Sequence, residues 1–173
     1  LSRLTGKYYC TSSCPQDPPS SPTLDVSLSY DSTSDGSYGI GRLAQSQNVA
    51  ASVTRSYRYD RRGRVDQSSL VIGAEGSFKS AWSYNAADQV LTQTYPGGSG
   101  LQLGEVVTTG YDGYGRPSSL AGSQGGTYVS SASYDAWGRL DLLDLGNGYR
   151  TDYEYYAPTT QGGRLRYLKT GTT

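Results

Sequence analysis

The chain has no histidine and no methionine, a single phenylalanine, and only 17% charged residues among its 173. Without histidine, the Ser–His and Cys–His pairs that activate a nucleophile cannot form within the chain. Two cysteines alone do not supply a usual zinc ligand set. No apolar run approaches the ~20 residues of a membrane-spanning helix. We therefore expect no enzymatic activity, no metal or other cofactor, and no membrane insertion.

Charge of either sign is also scarce and evenly balanced, with Lys+Arg 15 against Asp+Glu 15. A neutral chain has no overall field that favours nucleic acid. The one basic cluster, Arg61, Arg62 and Arg64, is flanked by Asp60 and Asp66. We interpret this cluster as a solvated turn and expect no nucleic-acid partner.

Hydrophobic residues make up 35% of the chain, with 17 Tyr and 23 Gly. Leucine, valine and isoleucine are too sparse for a conventional core, so tyrosine and tryptophan must supply much of the apolar burial. The abundance of aromatic residues nevertheless separates this chain from disordered sequences, which are poor in them.

The N-terminal segment, residues 1–23, is rich in cysteine and proline. Three residues separate Cys10 from Cys14, a spacing that fits a small disulfide loop. We predict this disulfide, with free thiols or metal ligation as less favoured alternatives. A disulfide implies an oxidising, extracellular compartment. The proline-rich stretch 15–22 is typical of an extended linker or loop.

Residues 24–173 contain one motif, Tyr-Asp-x-x-Gly-Arg-hydrophobe, in six copies. It is intact in YDRRGRV (59–65) and YDAWGRL (134–140), ends in proline in YDGYGRP (111–117), and has drifted in YNAADQV (84–90). The first and last copies carry insertions, between Tyr30-Asp31 and Gly41-Arg42-Leu43, and between Tyr155-Tyr156 and Gly163-Arg164-Leu165. The glycine position recurs at 41, 63, 88, 115, 138 and 163, which identifies a repeat protein.

Each repeat reads as one β-hairpin. Apolar and aromatic residues alternate before each motif tyrosine, as in Val53, Tyr57 and Tyr59, which is the pattern of a strand. A second strand such as RVDQSSLVI follows each glycine and ends in its own glycine-rich turn. No segment shows a helical period. We predict an all-β fold, an antiparallel meander of about 12 strands in repeated hairpins, curved because open sheets of more than about 10 strands curl.

The motif residues have physical roles in the turn between the two strands. The aspartate accepts backbone N–H bonds, and the glycine adopts a positive φ. The arginine lies within reach of the aspartate or of a tyrosine face. In the drifted copy Asn85 and Gln89 replace both charged residues together, which indicates that the two positions interact. The predicted structural turn residues are Tyr59, Asp60, Gly63, Arg64, Tyr111, Asp112, Gly115, Arg116, Tyr134, Asp135, Gly138 and Arg139.

The motif resembles the YD repeats of the rearrangement-hot-spot (Rhs) proteins, of insecticidal toxin complex shells, of bacterial wall-associated proteins and of the animal teneurins. The resemblance covers about residues 24 to 170. It implies a long β-sheet that spirals into a shell, which encloses a toxic domain in the bacterial toxins and forms part of an adhesion surface in teneurins. For such repeats carbohydrate binding is a further expectation.

Three functions follow as hypotheses. We expect an extracellular or cell-surface structural protein, either a segment of a longer shell that contacts neighbouring repeats or a subunit that joins copies of itself edge to edge. The alternatives are a glycan-binding adhesion module and an encapsulating segment of a larger Rhs-type toxin. Candidate glycan-binding residues are Trp82, Tyr114, Tyr128 and Trp137. Asp141, Asp144 and Asp152 are a neighbouring carboxylate set, which we interpret as solvated rather than catalytic.

Overall fold

The computed structural model describes residues 2–9, 24–98 and 100–172. Cys10, Cys14 and the proline-rich stretch lie outside the described residues, so the predicted disulfide stays a prediction. The strands are β1 (Gly6–Lys7), β2 (Val26–Tyr30), β3 (Leu43–Asn48), β4 (Val53–Tyr59), β5 (Val65–Ile72), β6 (Gly76–Tyr84), β7 (Val90–Pro96), β8 (Leu103–Tyr111), β9 (Pro117–Gly122), β10 (Gly126–Tyr134), β11 (Leu140–Leu145), β12 (Tyr149–Tyr155) and β13 (Leu165–Thr172).

The strands follow one another in the sheet in the same order as in the chain, from β1 to β13. The registers are antiparallel, as for β4 and β5, where Val53 lies opposite Ile72 and Arg58 opposite Gln67. This arrangement confirms the predicted all-β antiparallel meander of hairpins. It also shows that each motif tyrosine ends one strand and each motif hydrophobe begins the next.

The described chain divides into two compact units. The first comprises Leu1–Ser83 and Thr94–Gly104, and the second comprises Tyr84–Gln93 and Glu105–Thr173. In the first unit a short strand at Gly6–Lys7 pairs with β2. A part of the N-terminal segment therefore joins the sheet, which the sequence pattern did not indicate.

In the described part of the chain two short helical turns interrupt the meander, and neither was predicted. A single 3₁₀ turn spans Ser34–Gly36, and a four-residue α-helix, α1, spans Pro158–Gln161. Both lie in the insertions of the first and last motif copies, where Pro158 occupies the first helical position and Gly162 the left-handed position after the helix. The insertions thus lengthen a turn without changing the strand order.

Burial in the described residues is shallow. Ala44 and Val107 are the buried apolar residues, at 8% and 9% exposure, and no large side chain falls below 2%. The scarcity of aliphatic residues in the sequence agrees with this thin sheet. Because little apolar surface is removed from water, contacts between neighbouring strands must carry most of the stability.

The sheet of the first unit has two chemically different faces. Ser29, Gln45, Ser56 and Ser69 lie opposite one another across β2 to β5, in one row of small polar side chains. Tyr57 and Tyr59 belong to the alternate positions of β4 and therefore project from the other face. The alternation predicted from the sequence is therefore present in the strand registers.

A β-bulge follows the motif turn, as the register of β4 with β5 shows. Where Arg58 pairs with Gln67 and Tyr59 with Val65, Asp66 is left as the extra residue. The equivalent register shift leaves out Ala44, Ser118, Asp141 and Arg166 in the other copies.

At two of these bulges the extra residue forms an ion pair with the residue that precedes the motif tyrosine. Asp66 bonds to Arg58 at 2.9 Å. Arg166 bonds to Glu154 at 2.7 Å, so the two charges have exchanged places between the copies.

Candidate functional site: the motif turn

The four motif turns without an insertion share one backbone geometry, shown by residues 135–139. The amide of Asp135 donates to the carbonyl of Arg139 at 2.9 Å, and the amide of Gly138 donates back to Asp135 at 3.0 Å. The carboxylate Oδ1 of Asp135 accepts from the amides of Trp137 and Arg139, at 2.9 and 3.0 Å. One aspartate therefore fixes the backbone of the whole reversal, as the Asx-turn chemistry predicts.

The second carboxylate oxygen of the same aspartate binds the motif arginine. Asp135 Oδ2 accepts from Nε of Arg139 at 2.7 Å and lies 2.6 Å from its Nη2. The same fork of bonds joins Asp60 to Arg64 and Asp112 to Arg116, with Nε distances of 2.7 Å in both. Because two nitrogen atoms of the guanidinium bind the same carboxylate oxygen, the orientation of the guanidinium plane is fixed.

The drifted copy keeps the geometry with neutral groups. Oδ1 of Asn85 accepts from the amides of Ala87 and Gln89, at 2.9 and 3.0 Å. Its Nδ2 donates to Oε1 of Gln89 at 2.9 Å. The amide pair predicted from the joint replacement is present, so the shape of the turn does not depend on charge.

A positive φ is found at every motif glycine position. The angles are +83° at Gly41, +80° at Gly63, +77° at Gly115, +78° at Gly138 and +65° at Gly163. Asp88, which stands at this position in the drifted copy, adopts +65°. Left-handed backbone is costly for most residues with a Cβ, which accounts for the recurrence of glycine.

The motif arginines Arg116 and Arg139 are also packed between aromatic rings. The guanidinium carbon of Arg139 lies 4.1 Å from the ring centre of Tyr155, in the next repeat, and 5.1 Å from that of Trp137, in its own turn. Arg116 lies 4.4 Å from the ring of Tyr134 and 4.9 Å from that of Tyr114. These are cation–π distances.

Motif tyrosines donate their hydroxyl to the carbonyl of the hydrophobe in the preceding motif. Tyr59 donates to Leu43 at 2.7 Å, Tyr134 to Pro117 at 2.6 Å and Tyr155 to Leu140 at 2.8 Å. Tyr111 does the same to Val90 at 2.7 Å. The tyrosine therefore links its own repeat to the previous one.

The residue at the arginine position forms a second bond between repeats, to the carbonyl of the glycine in the next motif. Nε of Arg42 donates to the carbonyl of Gly63 at 3.1 Å. Gln89 donates to the carbonyl of Gly115, and Arg139 to that of Gly163. We call these contacts together the inter-repeat clamp: tyrosine hydroxyl to the previous hydrophobe, arginine against the tyrosine ring, and arginine or glutamine to the next glycine carbonyl.

The first copy departs from the expected pairing. Asp31 is bound by Arg3, with both carboxylate oxygens at 2.8–2.9 Å from Nη1, and not by Arg42. Arg42 instead donates to the carbonyls of Ile40 and Gly63. The insertion between Asp31 and Gly41 has separated the two motif halves in sequence, and Asp31 Oδ1 still accepts from the amide of Gly41 at 2.6 Å.

Arg3 and Leu4 supply a further clamp that sequence analysis missed. The ring of Tyr30 lies 5.2 Å from the guanidinium carbon of Arg3, and its hydroxyl donates to the carbonyl of Leu4 at 2.8 Å. The signal was present as an Arg-Leu pair, the last two residues of the motif, without the rest of it.

Hydrogen bonding lowers the pKa values of the motif aspartates. For Asp112, bonds from the backbone amide and the guanidinium of Arg116 hold the pKa below its usual value against partial desolvation. At Asp60 and Asp135 desolvation would raise the pKa, but bonds from Arg64 and Arg139 outweigh it. The three carboxylates are thus held in their charged form.

One of the three neighbouring carboxylates, Asp144, is engaged in a similar pair. Asp144 bonds to Nε and Nη2 of Arg150 at 2.6 and 2.9 Å and to the hydroxyl of Ser131 at 2.8 Å. These bonds lower the pKa of Asp144 to about 2. Our interpretation of Asp144 as merely solvated was therefore incomplete. The described residues contain no group of three or more acidic, cysteine or histidine residues placed to hold a metal ion.

Two of the four candidate glycan-binding residues are brought together. Tyr114 and Trp137, 87% and 68% exposed, line a cleft of about 560 Å³ with Arg116, Tyr134 and Asp135. Tyr128 lies elsewhere in the second unit, where its hydroxyl donates to Glu105 at 2.6 Å. Trp82 is half-buried on β6. Within the second unit, Tyr114 and Trp137 therefore share a cleft that Tyr128 does not line.

No protein-family model matches the chain, and no curated protein matches it. Solved structures are similar to it. The crystal structure of TcdB2-TccC3-TEV has 20% identity and a TM-score of 0.69 over 88% of this chain. That of TcdB2-TccC3-Cdc42 has 18% identity and a TM-score of 0.70 over 89% of it. The structure of the Photorhabdus luminescens Tc holotoxin pore has 19% identity and a TM-score of 0.70 over 89% of this chain.

At such identities the similarity shows the fold alone. This chain spans 8% of the length of each of those chains. The fold and the motif turns thus define a class of architecture, an antiparallel meander of linked hairpins, which is also found within Tc toxin chains. Among the described residues no helix has the length and apolar character needed to cross a membrane.

Gly63 and Gly138 provide a matched test of the clamp. Both have a φ near +80°, but a Cβ on Gly63 would overlap the guanidinium of Arg42, whereas a Cβ on Gly138 meets nothing within 4 Å. We expect Gly138→Ala to lower the free energy of unfolding by about 1 kcal/mol through backbone strain. Gly63→Ala should cost about 1 kcal/mol more, because Arg42 loses its carbonyl acceptor. Urea unfolding measures the free energy of unfolding of both variants. An equal decrease in the two variants would contradict the bond from Arg42 to Gly63.

Low pH should reduce the contribution of Asp135 to the free energy of unfolding. Because the folded pKa of Asp135 lies below the ordinary value of 3.8, its contribution to stability is complete above that pH and is lost as the pH falls through the folded pKa. Asp135→Asn keeps the Oδ1 acceptor but does not titrate. We expect the wild-type chain to exceed this variant in stability at pH 6 and the difference to shrink steadily below pH ~4. Urea unfolding across this range tests it, and a difference independent of pH would refute the assignment.

Proposed function

We propose that the chain is an extracellular, non-enzymatic YD-repeat structural protein, which forms a segment of a β-sheet shell. The observation that supports this role best is the inter-repeat clamp, in which the motif residues act on the neighbouring repeat. The TcdB2-TccC3 structures share its fold, and the motif resembles the YD repeats of insecticidal toxin complex shells. A container segment of a larger Rhs-type toxin is therefore the favoured setting.

The chemistry of the motif residues supports an architectural role. In the three copies with an Asp–Arg pair, the carboxylate oxygens are occupied by backbone amides and a guanidinium, as at Asp135. The arginine is in turn packed against tyrosine, as Arg139 is against Tyr155. Groups engaged in this way hold strands in register and leave no acid or base poised for proton transfer.

A double-mutant cycle on Arg139 and Tyr155 tests this role. We expect Arg139→Gln and Tyr155→Leu to show a coupling of about 1 kcal/mol in the free energy of unfolding, since each removes one side of a cation–π contact. Tyr149, exposed on the same strand, provides the control, and Arg139→Gln with Tyr149→Leu should be additive. If the coupling between Arg139 and Tyr155 is no larger than in this control, the contact does not stabilise the array and the structural role of the clamp is rejected.

Glycan binding is the second candidate, because the cleft between Tyr114 and Trp137 presents two exposed aromatic rings. Sugar rings stack on such faces, and cell-surface glycans are the corresponding partner. Trp137→Ala should abolish glycan-array binding while Tyr149→Ala leaves it unchanged. An array without signal for the wild-type chain would remove this candidate and leave the structural role intact.

A further inference from the structure

The insertion in the first motif copy, residues 31–41, departs from the repeat and is fixed to the sheet of the first unit. At the end of β4 the amide of Tyr59 donates to Oγ of Ser37 at 3.2 Å, and the carbonyl of Tyr59 accepts from the amide of Tyr38 at 3.0 Å. Ser37 is buried, at 7% exposure. Insertions in repeat arrays form loops on one face, and such loops often bind ligands.

This insertion and the polar face of the sheet border a cavity of about 390 Å³. The row of Ser29, Gln45, Ser56 and Ser69 contributes to its lining from β2 to β5. Small-molecule pockets have volumes of roughly 300–1,000 Å³. The cavity therefore has the size of a site for a small molecule.

A small residue at the β-bulge leaves room for the cavity. In the first copy the register shift leaves out Ala44, which lines the cavity and is 8% exposed. Larger residues stand at this position in other copies, as Asp66, Asp141 and Arg166 do. The cavity thus depends on two features of the first copy, the insertion and Ala44, that the repeat does not require.

The lining consists largely of groups that both donate and accept hydrogen bonds. Six serines line the cavity, with two glutamines: Ser29, Ser32, Ser34, Ser37, Ser56, Ser69, Gln45 and Gln67. Nε2 of Gln45 donates to Oγ of Ser56 at 3.2 Å, which orients both groups before a ligand binds. Serine hydroxyls and carboxamides each donate and accept, and so do the hydroxyl groups of a ligand. This lining matches a hydroxyl-rich molecule.

One carboxylate gives the cavity a preference for positive charge. Arg58 also lines it, but the guanidinium is bound by Asp66 at 2.9 Å. Asp31, at the start of the insertion, is bound by Arg3. Asp35 is exposed and lines the cavity, and within the described residues its carboxylate forms no hydrogen bond or ion pair. A cationic group of a ligand would therefore find its partner at Asp35.

We propose that this cavity binds a small, hydroxyl-rich organic cation of the amino-sugar class. The hydroxyl groups of the ligand bond to the serines and carboxamides, and its ammonium group pairs with Asp35. The site lies in the first unit and has a polar lining, unlike the aromatic cleft of Tyr114 and Trp137 in the second unit. The inference goes beyond the proposed structural function and does not depend on the inter-repeat clamp.

The test compares three sugars of similar size and different charge, which are glucosamine, glucose and glucuronate. Isothermal titration calorimetry with the full chain at about pH 6 presents them as a cation, a neutral molecule and an anion. We expect glucosamine to bind about fivefold more tightly than glucose, because it gains an exposed ion pair, and glucuronate to bind most weakly. Added salt should narrow these differences.

Two matched pairs of variants locate the bound sugar. Asp35→Asn should make the affinities for glucosamine and glucose equal, whereas Glu75→Gln, at an exposed turn of the same unit, should keep their difference. Ser56→Ala should weaken glucosamine binding about fivefold through the loss of one hydrogen bond. Ser46→Ala lies on the neighbouring strand and the opposite face of the sheet, and should leave the affinity unchanged.

Three results would overturn the proposal. Absence of saturable glucosamine binding would reject the site, and equal affinities for the three sugars would reject the ion pair at Asp35 and with it the amino-sugar class. Equal effects of Ser56→Ala and Ser46→Ala would place the bound sugar outside the cavity. The comparison of sugars uses the unchanged protein, so it does not depend on the folding of a variant.

Discussion

An arginine held between a carboxylate and a tyrosine ring is the contact on which the rest of the structure depends. The carboxylate belongs to the arginine's own turn, as Asp135 does to Arg139, and the ring belongs to the next hairpin, as Tyr155 does. The described residues bury little apolar surface, so no core imposes the order of the hairpins. Local turn geometry and contact between repeats are therefore coupled through one guanidinium group.

Because of this coupling, the stability of the array is approximately the sum of the stabilities of the single repeats and of the contacts between adjacent repeats. In the sheet order of the described strands, each strand pairs with the strand before it and the strand after it, an arrangement that favours nearly one-dimensional energetics. The drifted copy shows what such an array tolerates: Asn85 and Gln89 keep the turn bonds, and Gln89 still reaches the carbonyl of Gly115. The insertions in the first and last copies are tolerated for the same reason, since they lengthen single turns.

The turn chemistry could be predicted from the sequence because it is local. The Asp–Arg pair, the amide pair at Asn85 and Gln89 and the positive φ at the glycine position each follow from residues within five positions. The tyrosine-to-carbonyl bonds, the bulges and the pairing of Asp31 with Arg3 could not be predicted. The bonds from tyrosine and from Arg3 join residues 15 to 28 positions apart, and the bulges arise from a register shift within a hairpin that the motif does not reveal.

The exchanged ion pairs at two bulges have a consequence for folding. Near-identical hairpins invite a strand to pair with the wrong neighbour, which is the characteristic failure of repeat proteins. Arg58 faces Asp66 in one hairpin, whereas Glu154 faces Arg166 in another. A strand exchanged between these hairpins would set Arg58 against Arg166, or Glu154 against Asp66. The opposite order of charges in the two ion pairs therefore disfavours pairing between strands of different hairpins, although the turns of these hairpins are alike.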